Sequence, residues 1–278
     1  NLYPTHPADD GGRARGGLSS WPGTDVIDDT AMDPYGRPIK ADGNLYIATY
    51  QKLYSLDSSD NLTLVKDIPE LTGDIKMAWN GVVLVIVERG GDGWFYTPGT
   101  DTLEEITDVV FTGYQAEADG IESVCFVDGR FVYCTKKTMF WGSLVTSGSG
   151  KTFDATATLS PFLTENLKCV RNIRGDLFAF GEEQSKPFST TADQDLPFQE
   201  YGGGTYDKGV YSDDSVVAFD SSFYMVGNGR DEGLGVYRGV GGGGVQKIST
   251  DYIDGVLKDT TDETSFSKKI ILSGFSYR

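Results

Sequence analysis

The sequence predicts an all-β fold: a β-propeller with blades of about four antiparallel strands, preceded by an extended N-terminal arm. Three features point there. The 278 residues include 36 Gly, which suits many tight turns because glycine tolerates positive φ. The 15 Tyr, 15 Phe and 4 Trp suit half-buried pleated surfaces. A unit of turn, strand, turn and strand recurs along the chain, while a helical period of 3.6 is nearly absent.

The recurrence starts at Gly43-Asn44, which leads into Leu45–Ala48 and then Lys52–Leu56. Asn80-Gly81 leads into Val82–Val87 and Trp94–Tyr96, and Asp128-Gly129 into Arg130–Cys134 and Thr138–Trp141. Gly175-Asp176 precedes Leu177–Phe180, Ser221-Ser222 precedes Phe223–Val226 and Gly235–Tyr237, and Lys268-Lys269 precedes Ile270–Leu272. The marks at 43, 81, 129, 175, 221 and 268 lie 38 to 48 residues apart. Apolar strands precede most turns (Ile75–Trp79, Ile121–Val127, Val170–Ile173, Val216–Phe219), and others follow (Leu62–Val65, Val245–Ile248). That beat matches propeller blades. Short helices are expected near Leu103–Thr107 and Asp251–Leu257.

Residues 1–42 read differently, with Pro4, Pro7, Pro22, Pro34 and Pro38, two glycine pairs and little alternation. They are expected to form an arm lying on the body. Residues 43–278 are expected to form the propeller, as about five complete blades and part of another. A propeller that does not close presents raw strand edges. With no Met at residue 1 and an end just after a strand-like run, the chain is expected to be truncated at both ends.

Charge and composition exclude several functions. The net charge is −17, from 41 acidic and 24 basic residues, and no basic run exceeds two residues. Tight binding to nucleic acid or to an anionic membrane surface needs clustered Lys and Arg. The longest apolar run, Gly81–Val87, is too short to span a bilayer, and no signal peptide is expected. Cys125, Cys134 and Cys169 read as reduced, buried thiols. Across the Asp128-Gly129 turn Cys125 faces Val132 and Cys134 faces Ser123, a poor disulfide geometry. The single histidine, His6, removes most histidine-based catalysis.

Motifs that could carry chemistry are incomplete. Gly148-Ser149-Gly150-Lys151-Thr152 ends like a phosphate-binding loop, but Val145 stands where glycine is needed and the β-branched run Phe153–Leu159 follows instead of a helix. The glycines at 239 and 241–244 read as a hairpin tip. The pairs Asp9-Asp10, Asp28-Asp29 and Asp213-Asp214 would point to opposite faces within a strand, so they do not converge by themselves. Asp57, Asp60 and Asn61 read as an Asx-type turn rather than a calcium loop. No catalytic, cofactor-binding or metal-binding residues are assigned. A carbohydrate-binding or glycoside-hydrolysing propeller is the second reading. It would need convergent carboxylates or aromatics in a central pocket, with Trp79, Trp94 and Trp141 as candidates.

The arm carries a family resemblance. Asn1-Leu2-Tyr3-Pro4, a glycine-rich spacer and then Leu18-Ser19-Ser20-Trp21-Pro22-Gly23-Thr24 resemble the opening of phage packaged-DNA stabilisation proteins, the tail accessory or nozzle proteins of P22-like short-tailed phages. The signature residues are Asn1, Leu2, Tyr3, Pro4, Pro22 and Gly23. Asp119-Gly120-Ile121, the Asp128–Trp141 hairpin and the run from Gly202 to Leu257 continue the similarity in order. The resemblance implies a non-enzymatic virion protein, assembled in the host cytoplasm, whose copies form a hexameric ring below the portal and its adaptor. It further implies that the ring retains packaged DNA, docks the tail needle and tailspikes, and lets DNA pass without specific binding. An acidic lumen would repel that DNA. No cofactor and no membrane anchor are implied.

Overall fold

The computed structural model describes residues 2–5, 17–20 and 38–262, apart from 50, 69–70, 72–73, 118–119, 145–149, 192, 195, 202–203, 220–221, 231 and 241–243. Five four-stranded antiparallel sheets follow one another, each a meander in which neighbours in sequence are neighbours in space. Blade one holds β3 (Ile39–Ala41), β4 (Asn44–Thr49), β5 (Lys52–Leu56) and β6 (Leu62–Asp67). Blade two holds β7 (Ile75–Trp79), β8 (Leu84–Glu88), β9 (Gly93–Thr97) and β10 (Thr102–Glu105). Blade three holds β11 (Ser123–Val127), β12 (Arg130–Cys134), β13 (Met139–Gly142) and β14 (Phe153–Leu159). Blade four holds β15 (Leu167–Ile173), β16 (Asp176–Gly181), β17 (Ser185–Thr190) and β18 (Phe198–Glu200). Blade five holds β19 (Val216–Phe219), β20 (Ser222–Gly227), β21 (Gly235–Val240) and β22 (Gly244–Lys247). Ahead of the blades in sequence, β1 (Leu2–Thr5) pairs antiparallel with β2 (Gly17–Ser20). The signature residues Leu2, Tyr3 and Pro4 therefore lie in β1, while Asn1, Pro22, Gly23 and His6 lie outside the described residues.

The sequence marks coincide with the turns between the first and second strands of each blade. Asp42-Gly43, Asp128-Gly129 and Arg174-Gly175 all have positive φ at both positions. Consecutive positive φ values define the hairpin turn whose twist matches its strands. The fourth turn falls one residue before the expected Gly175-Asp176, because Asp176 already pairs with Ile173. The sixth mark, at 268, lies outside the described residues.

Packing follows from burying both faces of a sheet. The second strands β8 and β12 are buried at every position. Four cores join neighbouring blades. Leu53, Leu84 and Trp94 pack between blades one and two, and Phe95, Phe111 and Tyr133 between two and three. Val132, Trp141, Val170 and Phe188 fill the next gap, and Phe180, Phe223 and Tyr237 the last. Among the described residues no such core joins blade five to blade one. Blade five shows the consequence: β21 alternates strictly, with Tyr237 and Gly239 buried and Arg238 and Val240 exposed.

Two short helices punctuate the sheets. The segment expected to be helical at Leu103–Thr107 is instead β10 and its exit, because Thr102–Glu105 pair in register with Trp94–Thr97. Helix α1 starts later, at Val109–Gln115, where Asp108 caps it by accepting from the Val110 N–H at 2.8 Å. Phe111 of this helix is fully buried among Tyr133, Phe140 and Phe153. The second expected helix is present as α2 (Asp251–Asp262).

Gly239 sits on β21 with no room for a side chain, because a methyl group there would enter the Phe223 ring. Gly239→Ala is expected to cost about 1–3 kcal/mol through overpacking. Equilibrium denaturation should show a lower midpoint at unchanged slope.

Candidate functional site

The first strand of each blade is innermost, so its residues approach the propeller axis. Most are apolar; of their charged residues Lys40, Lys76, Lys168 and Arg171, only Lys76 is buried, and Lys76 and Arg171 meet at one cluster. Blade five enters the axis through a 3₁₀ turn, Asp213–Ser215, closed by reciprocal bonds between Ser212 and Ser215. The Ser215 hydroxyl also donates to the Val226 carbonyl at 3.0 Å, tying the turn to β20.

These elements bring together a charge cluster across the axis. The Lys76 ammonium, 5 % exposed, lies 2.7 Å from Asp213 Oδ2, 2.8 Å from Asp214 Oδ2 and 2.8 Å from Asp74 Oδ1. Arg89 reaches Asp74 Oδ2 at 3.8 Å and pairs closely with Glu122 Oε2. Arg171 donates to the Asp213 carbonyl at 2.5 Å and to the Val170 carbonyl at 3.0 Å. Blades two and four and the entries to three and five thus share one ionic network. The expectation that Asp213-Asp214 would diverge is corrected here. On a 3₁₀ turn successive side chains differ by about 120° rather than the 180° of a strand, so both carboxylates reach the same ammonium. Asp9-Asp10 and Asp28-Asp29 lie outside the described residues.

Asp74, Asp213 and Asp214 are close enough together to hold a metal ion, but the Lys76 ammonium sits among them as the cation. Burial alone would lower the Lys76 pKa; its three carboxylates outweigh that and raise it. Burial likewise works against Asp213 ionisation, and Lys76, Arg171 and Arg89 overcome it, holding the carboxyl below its usual range. Glu122 goes the other way: burial raises its pKa despite Arg89. Beside the cluster a cavity of about 320 Å³ is lined by Ile39, Lys76, Trp79, Phe126, Arg171 and Asp214. Cys125 borders it, with burial pushing the thiol pKa up to about 12. Cys169 is likewise pushed up to about 12 and Cys134 further, and all three are free and buried. Thiols held so high are poor nucleophiles at neutral pH. The register pairs Ser123 with Cys134 and Cys125 with Val132, as expected.

Convergent acids at the axis are what a sugar-cleaving propeller requires, but here their geometry serves pairing. Glycoside hydrolysis uses a protonated acid and a second carboxylate flanking the bond. The acids of this cluster are engaged by Lys76 and Arg89. Trp94 and Trp141 lie in the blade cores, and of the three candidates only Trp79 lines the axial cavity. The other motifs also fall where the sequence suggested. Lys151 and Thr152 lead into strand β14 rather than a helix, and residues 145–149 lie outside the described set. Val240 pairs with Gly244, so β21 and β22 are antiparallel neighbours, and the glycines at 241–243 lie outside the described residues. Asp57 Oδ1 accepts from the Ser59 and Asn61 N–H groups, which makes it an Asx turn.

The fold and its axial charge cluster define a β-propeller whose blades share one network of ion pairs. The chain belongs to the family described as bacteriophage P22 Gp10, β-propeller, which matches residues 1–270; it is a phage structural protein and a virion component. No curated protein matches the chain. Among solved structures it is similar to the extracellular domain of the two-component system BT4673 of B. thetaiotaomicron, at 16 % identity and a TM-score of 0.56. That match covers 86 % of this chain and 31 % of the other, so the chain spans about a third of that protein's length. YCF48, solved bound to a D1 peptide, is similar at 15 % identity and a TM-score of 0.50, covering 84 % of this chain and 70 % of that one. These two likenesses concern the fold alone.

The ionic network makes stability depend on pH at both ends. Asp213, with its pKa lowered by folding, contributes stability that is present above the unfolded value of about 4 and lost as pH falls below it. Lys76, with its pKa raised, contributes stability that is complete below about 10.4 and lost as pH climbs through the folded value. Glu122 opposes Asp213, because its raised pKa favours the protonated form as pH falls. Lys76→Met leaves buried carboxylates unpaired and is expected to cost about 3–5 kcal/mol at neutral pH. Thermal melts across the pH range should show the wild-type loss above pH 10 absent from the variant.

Proposed function

We propose that the protein is a subunit of a phage tail nozzle and head-closure ring. The observation that carries this reading is the family match over residues 1–270. In this role six copies form a ring below the portal and its adaptor, retain the packaged genome, and offer loops to the tail needle and tailspikes. The function is mechanical, and the cross-axis ionic network supports it by making each propeller a stiff unit. Many weak loop contacts summed around a ring suffice for firm docking. A surface with net charge −17 suits a conduit that DNA passes without being gripped.

Residues before β3 serve as the arm in this reading, with β1 and β2 as its paired part. On blade five the face opposite Phe223 and Met225 carries half-buried Val217, Tyr224, Val226 and Val236, with Val240 38 % exposed. Leu45, Ile47, Leu56 and Leu64 form the matching apolar face of blade one.

Mass measurement on the purified protein, alone and mixed with portal–adaptor rings, tests the assignment. Discrete six-copy additions that require the adaptor are expected. A monomer that ignores those rings and binds glycans would favour the carbohydrate reading instead.

A further inference from the structure

One buried cation stands apart from the axial network. Arg130 opens β12, directly after the Asp128-Gly129 turn, and is 5 % exposed. Its strand alternates: Phe131 and Tyr133 face blade two, while Arg130, Val132 and Cys134 face blade four. The side chain therefore points into the seam between blades three and four. There Arg130 Nη2 donates to the Gln194 carbonyl at 3.1 Å, and no carboxylate pairs with it among the described residues. A guanidinium has five N–H donors, and among the described residues this carbonyl takes one of them. A buried charge without a counter-ion is costly. Burial correspondingly lowers the Arg130 pKa, and Asp128 offsets only part of this, whereas Arg89 and Arg171, close to acids, are raised.

The space beside Arg130 is a cavity of about 320 Å³. Ser143 lines it, and its hydroxyl is buried with no hydrogen-bond partner. The buried Trp141 supplies an apolar wall. Asp154 is also on the lining, but its Oδ1 is committed to the Thr156 N–H at 2.8 Å and the Thr156 hydroxyl at 2.7 Å. A vacant guanidinium fork, an orphan hydroxyl and an apolar wall thus meet in one cavity.

We propose that this cavity binds a carboxylate, held by the Arg130 fork and the Ser143 hydroxyl against Trp141. The planar fork matches the two oxygens of a carboxylate, and such pairs are short and strong. A monoanion is favoured over a dianion, because one positive charge awaits compensation and Asp154 stands nearby. A carboxylate can come from an acidic side chain of a partner polypeptide or from a sugar acid.

The test is titration of the folded chain, observed through the Arg130 Nε–H resonance by NMR. The probes are N-acetyl-glutamyl amide, glucuronate, inorganic phosphate and chloride. A saturable shift with either carboxylate, at least tenfold weaker in Arg130→Gln and several-fold weaker in Ser143→Ala, is expected, and the stronger of the two names the source. Overturning results would be no saturable shift, equal response to phosphate or chloride, or carboxylate binding unchanged in Ser143→Ala. The serine variant removes one hydroxyl, so it decides the matter even where Arg130→Gln fails to fold.

Discussion

A four-stranded sheet whose two faces are both apolar is stable only when both are covered, and that requirement shapes the molecule. A lone meander leaves one face in water; stacking blades around an axis lets each cover the next. The inner blades accordingly carry strands such as β8 and β12 that are buried throughout. Large aromatics fill the wedge-shaped gaps, with Phe111, Tyr133, Phe140 and Phe153 packed ring against ring between blades two and three. Glycines such as Gly239 appear where a neighbouring ring needs the space.

The same geometry draws the first strands toward a narrow axis, where backbone ends and polar side chains crowd together away from solvent. An acidic protein faces repulsion there. Placing Lys76 and Arg171 on inner strands converts it into attraction, with the ammonium held by three carboxylates from two different blades. Buried pairs of this kind give modest net stability but penalise any arrangement that separates them. They serve registration of the blades more than strength. Arg130 breaks the pattern, a buried cation whose fork is open to a ligand.

Family and fold agree with this picture of a virion part. The P22 Gp10 family match spans both β1 and β2 and all five blades. Propellers with low identity to this chain occur in unrelated settings, since the architecture asks only for alternation, turns and bulky core residues, not for one sequence.

Much of the fold was legible in the chain, because strand alternation and turn conformation are local. Asp-Gly pairs that tolerate positive φ mark hairpins wherever they fall, and the repeat of those hairpins announces a propeller. Helix α1 escaped notice because its signal is one capping residue, Asp108, beside a segment whose strand pairing depends on β9. The axial cluster was legible only as a hint, a lysine inside the apolar run Ile75–Trp79. Its partner Asp214 lies 138 positions away. Which charges meet, and that Arg130 forms no ion pair among the described residues, follow from how the blades close around the axis: Coulomb energy depends on distance through space, and that distance is set by the fold, not by position along the chain.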